Sequence, residues 1–155
     1  MPNTYSQLYI QLVFTVKNNH LSLINEADRT TLEKYICGIV SNCKCKPLSI
    51  YCNPDHLHIL VGLHPSVAIS DLVRTIKSNS SGYLHRELSG YQTFGWQDGF
   101  GAFIYSRSQI DAVYKYIQNQ AQHPKKFSFK EEYLDMLQKA GIDYDERYLF
   151  DWIIL

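Results

Sequence analysis

Two imidazoles stand two residues apart in the stretch Pro54-Asp55-His56-Leu57-His58-Ile59-Leu60-Val61. In an extended chain alternate residues share a face. His56 and His58 therefore point one way, while Leu57, Ile59, Val61 and Leu63 point the other way, toward a core. Such a pair is either two strand histidines bonded to neighbours and water, or two ligands of a divalent ion. The second reading requires partners from elsewhere in the chain.

A helix over about Gln109 to Gln122 supplies candidates. Ile110, Val113, Tyr114, Ile117 and Ala121 fall on its apolar stripe, and Tyr116 and Gln120 share a neighbouring face one turn apart. Tyr114 thus reads as a packing residue and Tyr116 as a presented one. A phenol with a pKa near 10 is a poor nucleophile at neutral pH without help. In phosphoryl transfer the larger task is neutralising charge on the attacked phosphate, which a divalent ion does directly. The His56 and His58 rings with the Gln120 amide oxygen would form a three-ligand site with positions open for phosphate oxygen and water, and Tyr116 would reach the polarised phosphorus.

These residues need a scaffold. Leu8, Ile10, Leu12, Phe14 and Val16 alternate with Tyr9, Gln11, Val13 and Thr15, the pattern of a strand with one face on the core. Asn25 suits the cap of a helix with Glu26 and Asp28 in its first turn and Leu32, Ile36, Ile39, Val40 and Cys43 at helical spacing, ending near Cys45. Leu48, Ile50 and Cys52 mark a second strand, and Asn53-Pro54-Asp55 is turn chemistry that makes an antiparallel hairpin with the histidine strand. Ser70 suits the cap of a second helix that runs to about Leu88 on the stripe Ile69, Leu72, Val73, Ile76, Tyr83 and Leu84. A short strand, Ala102 to Tyr105, completes β-α-β-β-α-β. This is the α+β ferredoxin-like plan, an antiparallel sheet with helices on one face. The tyrosine helix, a further helix over about Phe129 to Ala140 and an aromatic tail from Tyr144 to Leu155 follow it.

The chain has 155 residues, 45% hydrophobic and 19% charged, which fits one globular domain over 1–155. No leader and no apolar stretch of membrane-spanning length is evident, so the expected compartment is the cytoplasm. Cys37, Cys43, Cys45 and Cys52 lack CxxC spacing and read as buried reduced thiols. Formal net charge is +0, so a global positive field is excluded and any nucleic-acid contact must be local. The polar face of the second helix is such a patch: Arg74, Lys77, Ser78, Ser81 and His85 are either a solvated surface or donors to phosphate. The loop from Gly90 to Gly101, rich in glycine and aromatics, fits base stacking, a subunit interface or a cover for the sheet edge equally well.

Four segments, Pro54 to Val61, Ile69-Ser70-Asp71-Leu72-Val73-Arg74-Thr75-Ile76-Lys77, Trp96-Gln97-Asp98-Gly99-Phe100-Gly101-Ala102-Phe103 and Tyr116-Ile117-Gln118-Asn119-Gln120, resemble in the same order those of the single-tyrosine HUH transposases of bacterial insertion sequences and their REP-associated relatives. The resemblance runs from the first strand to Asp145-Glu146-Arg147-Tyr148-Leu149. It implies a transposase that cleaves and rejoins single-stranded DNA at hairpin-marked element ends through a 5′-phosphotyrosine link. By the same resemblance His56, His58 and Gln120 hold Mg²⁺ or Mn²⁺, Tyr116 is the nucleophile, and the protein is a homodimer whose tyrosine helix is supplied in cis or in trans. Paired imidazoles suit magnesium poorly, so weak metal binding without DNA is expected. Relatives often carry a second histidine after the tyrosine helix; here His123 is followed by Pro124, which puts any role for it in doubt. The readings that compete with transposition are a domesticated, non-catalytic hairpin-binding protein and a metal-dependent hydrolase with water as nucleophile.

Overall fold

A computed structural model of the chain describes residues 3–17, 23–121 and 128–152. Four strands form one antiparallel sheet: β1 (Tyr9–Thr15), β2 (Lys46–Cys52), β3 (His56–Gly62) and β4 (Gly101–Tyr105), in the order β2-β3-β1-β4. With α1 (Glu26–Asn42) and α2 (Ile69–Glu87) between them, this is the expected ferredoxin-like order. The β1–β3 register sets Leu12 opposite Ile59 and Phe14 opposite Leu57, and it sets Val13 opposite His58 and Thr15 opposite His56. One face of the sheet is therefore wholly apolar, and the other carries the histidines.

The apolar face packs on α1 and α2 through Leu32, Ile36, Val40, Leu72, Ile76 and Leu84, all essentially inaccessible. Asn25 caps α1 by accepting from the Asp28 backbone N–H. α1 stops at Asn42, short of Cys45, because Lys44 adopts φ 66, a left-handed conformation incompatible with continuing the helix. The N-cap position of α2 is Ala68, and Ser70 lies inside the helix, so the expected Ser70 cap does not form.

The histidine face is covered as well, which a plan with helices on one face alone does not anticipate. α3 (Ile110–Gln118) lies over β2 and β3, burying Leu60 with Ile110 and Ile117 in a second small core. Leu60 shares the His58 face, so the third element of that strand face anchors the tyrosine helix. α4 (Phe129–Lys139), capped by Ser128, packs Tyr133 against Phe103 of β4. A Cβ at position 101 would lie 2.6 Å from the Tyr133 hydroxyl, so glycine there is what lets α4 approach the sheet closely. Phe150 and Trp152 of the tail join the same aromatic cluster.

The glycine-rich loop is spent largely on covering the end of the sheet. Its backbone pairs antiparallel with the end of β1, with Lys17 N–H donating to the Gly95 carbonyl and Gln97 N–H to that of Thr15. Tyr91, Phe94 and Trp96 are buried, Trp96 edge-on to both Phe14 and Phe94. Of the loop aromatics only Phe100 is exposed. The four cysteines are free thiols, with Cys45 and Cys52 buried. Among the described residues no helix is long and apolar enough to cross a membrane.

Candidate active site

His56 and His58 are buried, and each ring is held from behind. His56 Nδ1 lies 2.6 Å from Asp55 Oδ1, and His58 Nδ1 lies 2.8 Å from Gln11 Oε1. Gln11 is fixed in turn by donating its amide N–H to the Tyr105 hydroxyl at 2.8 Å. Acceptors at both Nδ1 atoms place the ring protons there and leave both Nε2 lone pairs facing a common space, the arrangement typical of metal-ligating imidazoles. Burial, opposed by Asp55, pulls the His56 pKa down to about 4, so this ring is neutral at physiological pH.

Helix α4 brings a carboxylate into that space. Glu132 Oε1 lies 2.6 Å from His58 Nε2 and 3.9 Å from His56 Nε2. Phe129, three residues earlier on the same helix, stacks on the His56 ring with centroids 3.8 Å apart. His58 Nε2 and Glu132 Oε1 are buried atoms without a hydrogen-bond partner. With a neutral ring they meet lone pair to lone pair, so a cation, proton or metal, belongs between them. Burial alone would raise the Glu132 carboxyl, but the hydrogen bond and charge of His58, helped by His56 and Tyr116, outweigh it and leave its pKa below the usual value. Among the described residues His56, His58 and Glu132 form the group of donors suited to a metal ion, and the set of two imidazoles and one carboxylate fits a divalent one.

The tyrosine arrives from the opposite side of the same space. The Tyr116 ring, 38% exposed, stands edge-on to His58 with centroids 5.9 Å apart, and its hydroxyl is near enough to Glu132 and Gln120 for both to shift its pKa. Burial first, then the negative charge of Glu132, raise its pKa above the ordinary phenol value, while the Gln120 amide opposes them. Gln120 is buried, sitting in the 3₁₀ turn Asn119–Ala121 that follows α3 and accepting from Asn53 Nδ2 at 3.4 Å. Asn53 also bonds His56 Nε2 at 3.1 Å. His56, His58, Tyr116 and Gln120 are thus brought together within one chain. Tyr114, expected on the packing stripe, is 44% exposed. The stripe is carried by Ile110 and Ile117 with Val113, and Tyr116 is exposed to a similar extent as Tyr114. His123 and Pro124 lie outside the described residues.

The α2 residues are not equivalent. Lys77 is half-buried, donating to the carbonyls of Gln97 at 2.7 Å and Gly99 at 2.6 Å above the Phe14 ring. Burial, opposed by Asp98, lowers its pKa to about 8. Arg74 is exposed and paired with Asp71, Ser78 is exposed, and Ser81 faces the Phe94 carbonyl at 3.4 Å. With Lys17, these four residues line an open groove of about 520 Å³ between α2 and the loop. Its Gly95–Gln97 wall continues from the end of β1 where Thr15 faces His56.

Sequence reasoning missed Gln11, Asn53, Asp55 and Glu132. Gln11 stood on the histidine face of its strand by alternation, and Asp55 beside His56 in the sequence. Nothing in the periodicity of α4 distinguishes Glu132, which is in the site, from Glu131, which is exposed.

The site is thus a ferredoxin-like sheet that presents a buried histidine pair beside a partly exposed tyrosine. Residues 4–120 match the family model described as "Transposase IS200 like", and the chain belongs to that family. Its fold is similar to that of a candidate transposase of Deinococcus radiodurans R1, with 22% identity over 76% of this chain and 94% of that one and a TM-score of 0.56. It is similar also to a REP-associated tyrosine transposase solved bound to a REP hairpin, with 14% identity over 96% and 90% of the two chains and a TM-score of 0.58. No curated protein matches the sequence.

Proposed function

We propose that this transposase cleaves and rejoins single-stranded DNA at hairpin-marked ends, with Tyr116 as nucleophile and His56 and His58 as metal ligands. The observation that carries the reading is the convergence of the Tyr116 hydroxyl, Gln120 and the two imidazoles on one space in a single chain. A divalent ion, Mg²⁺ or Mn²⁺, would be held there and would neutralise charge on the scissile phosphate. Gln120 and Glu132 orient the phenol oxygen. That oxygen forms the new bond to phosphorus as the bond to the 3′ oxygen breaks. The proton lost by the phenol balances the one gained by the departing 3′-hydroxyl, and the 5′ end stays linked to Tyr116 until a second 3′-hydroxyl reverses the step.

The ring contact of Tyr116 with His58 of its own chain supports action in cis, so a homodimer would not be required to complete the site. Arg74, Lys17 and Ser78 in the groove beside α2 are the candidates for gripping the hairpin phosphates, with Ser81 deeper in it and Lys77 holding its wall.

The test is a denaturing gel after incubation with labelled single-stranded DNA containing the hairpin and Mn²⁺. Wild type and Tyr114→Phe should give a covalent protein–DNA adduct, and Tyr116→Phe should bind hairpin but give none. An adduct with Tyr116→Phe at the wild-type rate overturns the assignment, and cleavage without an adduct points to water as nucleophile.

A further inference from the structure

We infer that Glu132 is a ligand of the metal, so that the site of this chain is completed by a carboxylate from α4, beyond the 4–120 stretch that matches the family. The inference rests on the reading above that the histidine pair holds a divalent ion, and it goes further in naming the anionic donor. Three observations carry it. Donor atoms of Glu132, His56 and His58 lie within 4.8 Å of one another. The two atoms that face each other across the site, His58 Nε2 and Glu132 Oε1, are the buried pair without a hydrogen bond. Gln120 offers only a neutral amide oxygen, which accepts from Asn53 at 3.4 Å; Asn53 donates at 3.1 Å to His56 Nε2 as well, a contact that a metal on His56 would displace. Gln120 is accordingly a positioning residue for the nucleophile in the DNA-free protein.

The chemistry differs from that of two imidazoles and an amide. A neutral ligand set leaves the full +2 charge of a divalent ion in a buried place, which is costly. One carboxylate halves it and adds the hard oxygen donor that Mg²⁺ and Mn²⁺ prefer. The ion is therefore held before DNA arrives, and its binding also fixes α4 over the sheet, since Glu132 and the stacked Phe129 ride on the same helix.

The experiment is calorimetric titration of the DNA-free full chain with Mn²⁺, comparing wild type with Glu132→Gln, Gln120→Ala and His58→Ala, each checked for folding by circular dichroism in chelator. Glu132→Gln should weaken binding at least about tenfold, Gln120→Ala should leave it within about threefold of wild type, roughly the scale of a lost neutral contact, and His58→Ala should abolish it. Binding by Glu132→Gln as tight as wild type, a larger loss in Gln120→Ala than in Glu132→Gln, or no binding by DNA-free wild type overturns the inference while leaving the histidine pair as the DNA-dependent site. Unchanged binding in His58→Ala overturns the metal site itself.

Discussion

Glu132 Oε1 lies 2.6 Å from His58 Nε2, and neither atom has a hydrogen-bond partner. With the ring proton on Nδ1 and no metal bound, this is a confrontation of two acceptors across a buried gap. Glu132→Gln resolves it, because an amide N–H can donate to the imidazole. The variant should match wild type or gain about 1 kcal/mol in urea unfolding with chelator present. A loss of several kcal/mol would mean that a proton holds the pair together as a buried ion pair.

His56 links stability to pH. Its folded pKa is about 4, below the ordinary 6.5, because burial disfavours the charged ring more than Asp55 favours it. Between those values the unfolded chain binds a proton that the native protein does not. Stability contributed by the neutral ring is therefore full above pH 6.5 and falls as the pH drops toward 4, by up to about 3 kcal/mol at 1.36 kcal/mol per unit. Unfolding midpoints in chelator from pH 7.5 to 4.5 measure the slope. His56→Ala should flatten it, and an equal slope in wild type and variant would exclude the ring as its source.

Lys77 and Arg74 look alike in the sequence and should behave oppositely. The Lys77 ammonium satisfies two loop carbonyls in a half-buried position, so Lys77→Ala should cost about 2 kcal/mol of stability, the scale of charge-assisted hydrogen bonds. Arg74 makes an exposed ion pair with Asp71, and Arg74→Ala should change stability by less than about 0.5 kcal/mol. If Arg74 grips phosphate, the same variant should lower hairpin affinity and reduce its salt slope by about one. Unchanged affinity would move the hairpin away from this groove.

The sheet was legible because alternation in β1 and β3 is a local property with a period of two, and it assigned both strand faces correctly from Ile10 to Val61. The placing of Tyr116 beside the histidines was legible because it stands off an apolar stripe at helical spacing, although α3 ends at Gln118 and Gln120 sits in the 3₁₀ turn that follows. What was not legible depends on contacts across the chain. Lys77 was read as a phosphate donor because its carbonyl partners lie 20 and 22 residues away in a loop without periodicity. Tyr114 was read as a packing residue because helical spacing alone does not show which residues of α3 meet β2 and β3. Glu132 could not be selected at all, since its place in the site follows from how α4 docks on Gly101 and Phe103.

Gln11 gives the last prediction. Its carbonyl holds the His58 Nδ1 proton, its amide is fixed by Tyr105, and it is buried in the middle of the sheet. Gln11→Leu leaves that N–H unsatisfied, which costs about 1–3 kcal/mol. It also frees the ring to move its proton to Nε2, the atom that must be a lone pair to bind a metal, so Mn²⁺ affinity should fall about 10- to 100-fold. Gln11→Glu keeps an acceptor at Nδ1, and the Tyr105 hydroxyl can donate to its second oxygen, so affinity should be retained. Nitrogen-15 spectra of the labelled histidines report the tautomer directly: Nδ1–H in wild type and Gln11→Glu, a mixture in Gln11→Leu. Wild-type metal affinity in Gln11→Leu would show that the strand and Glu132 orient His58 without help.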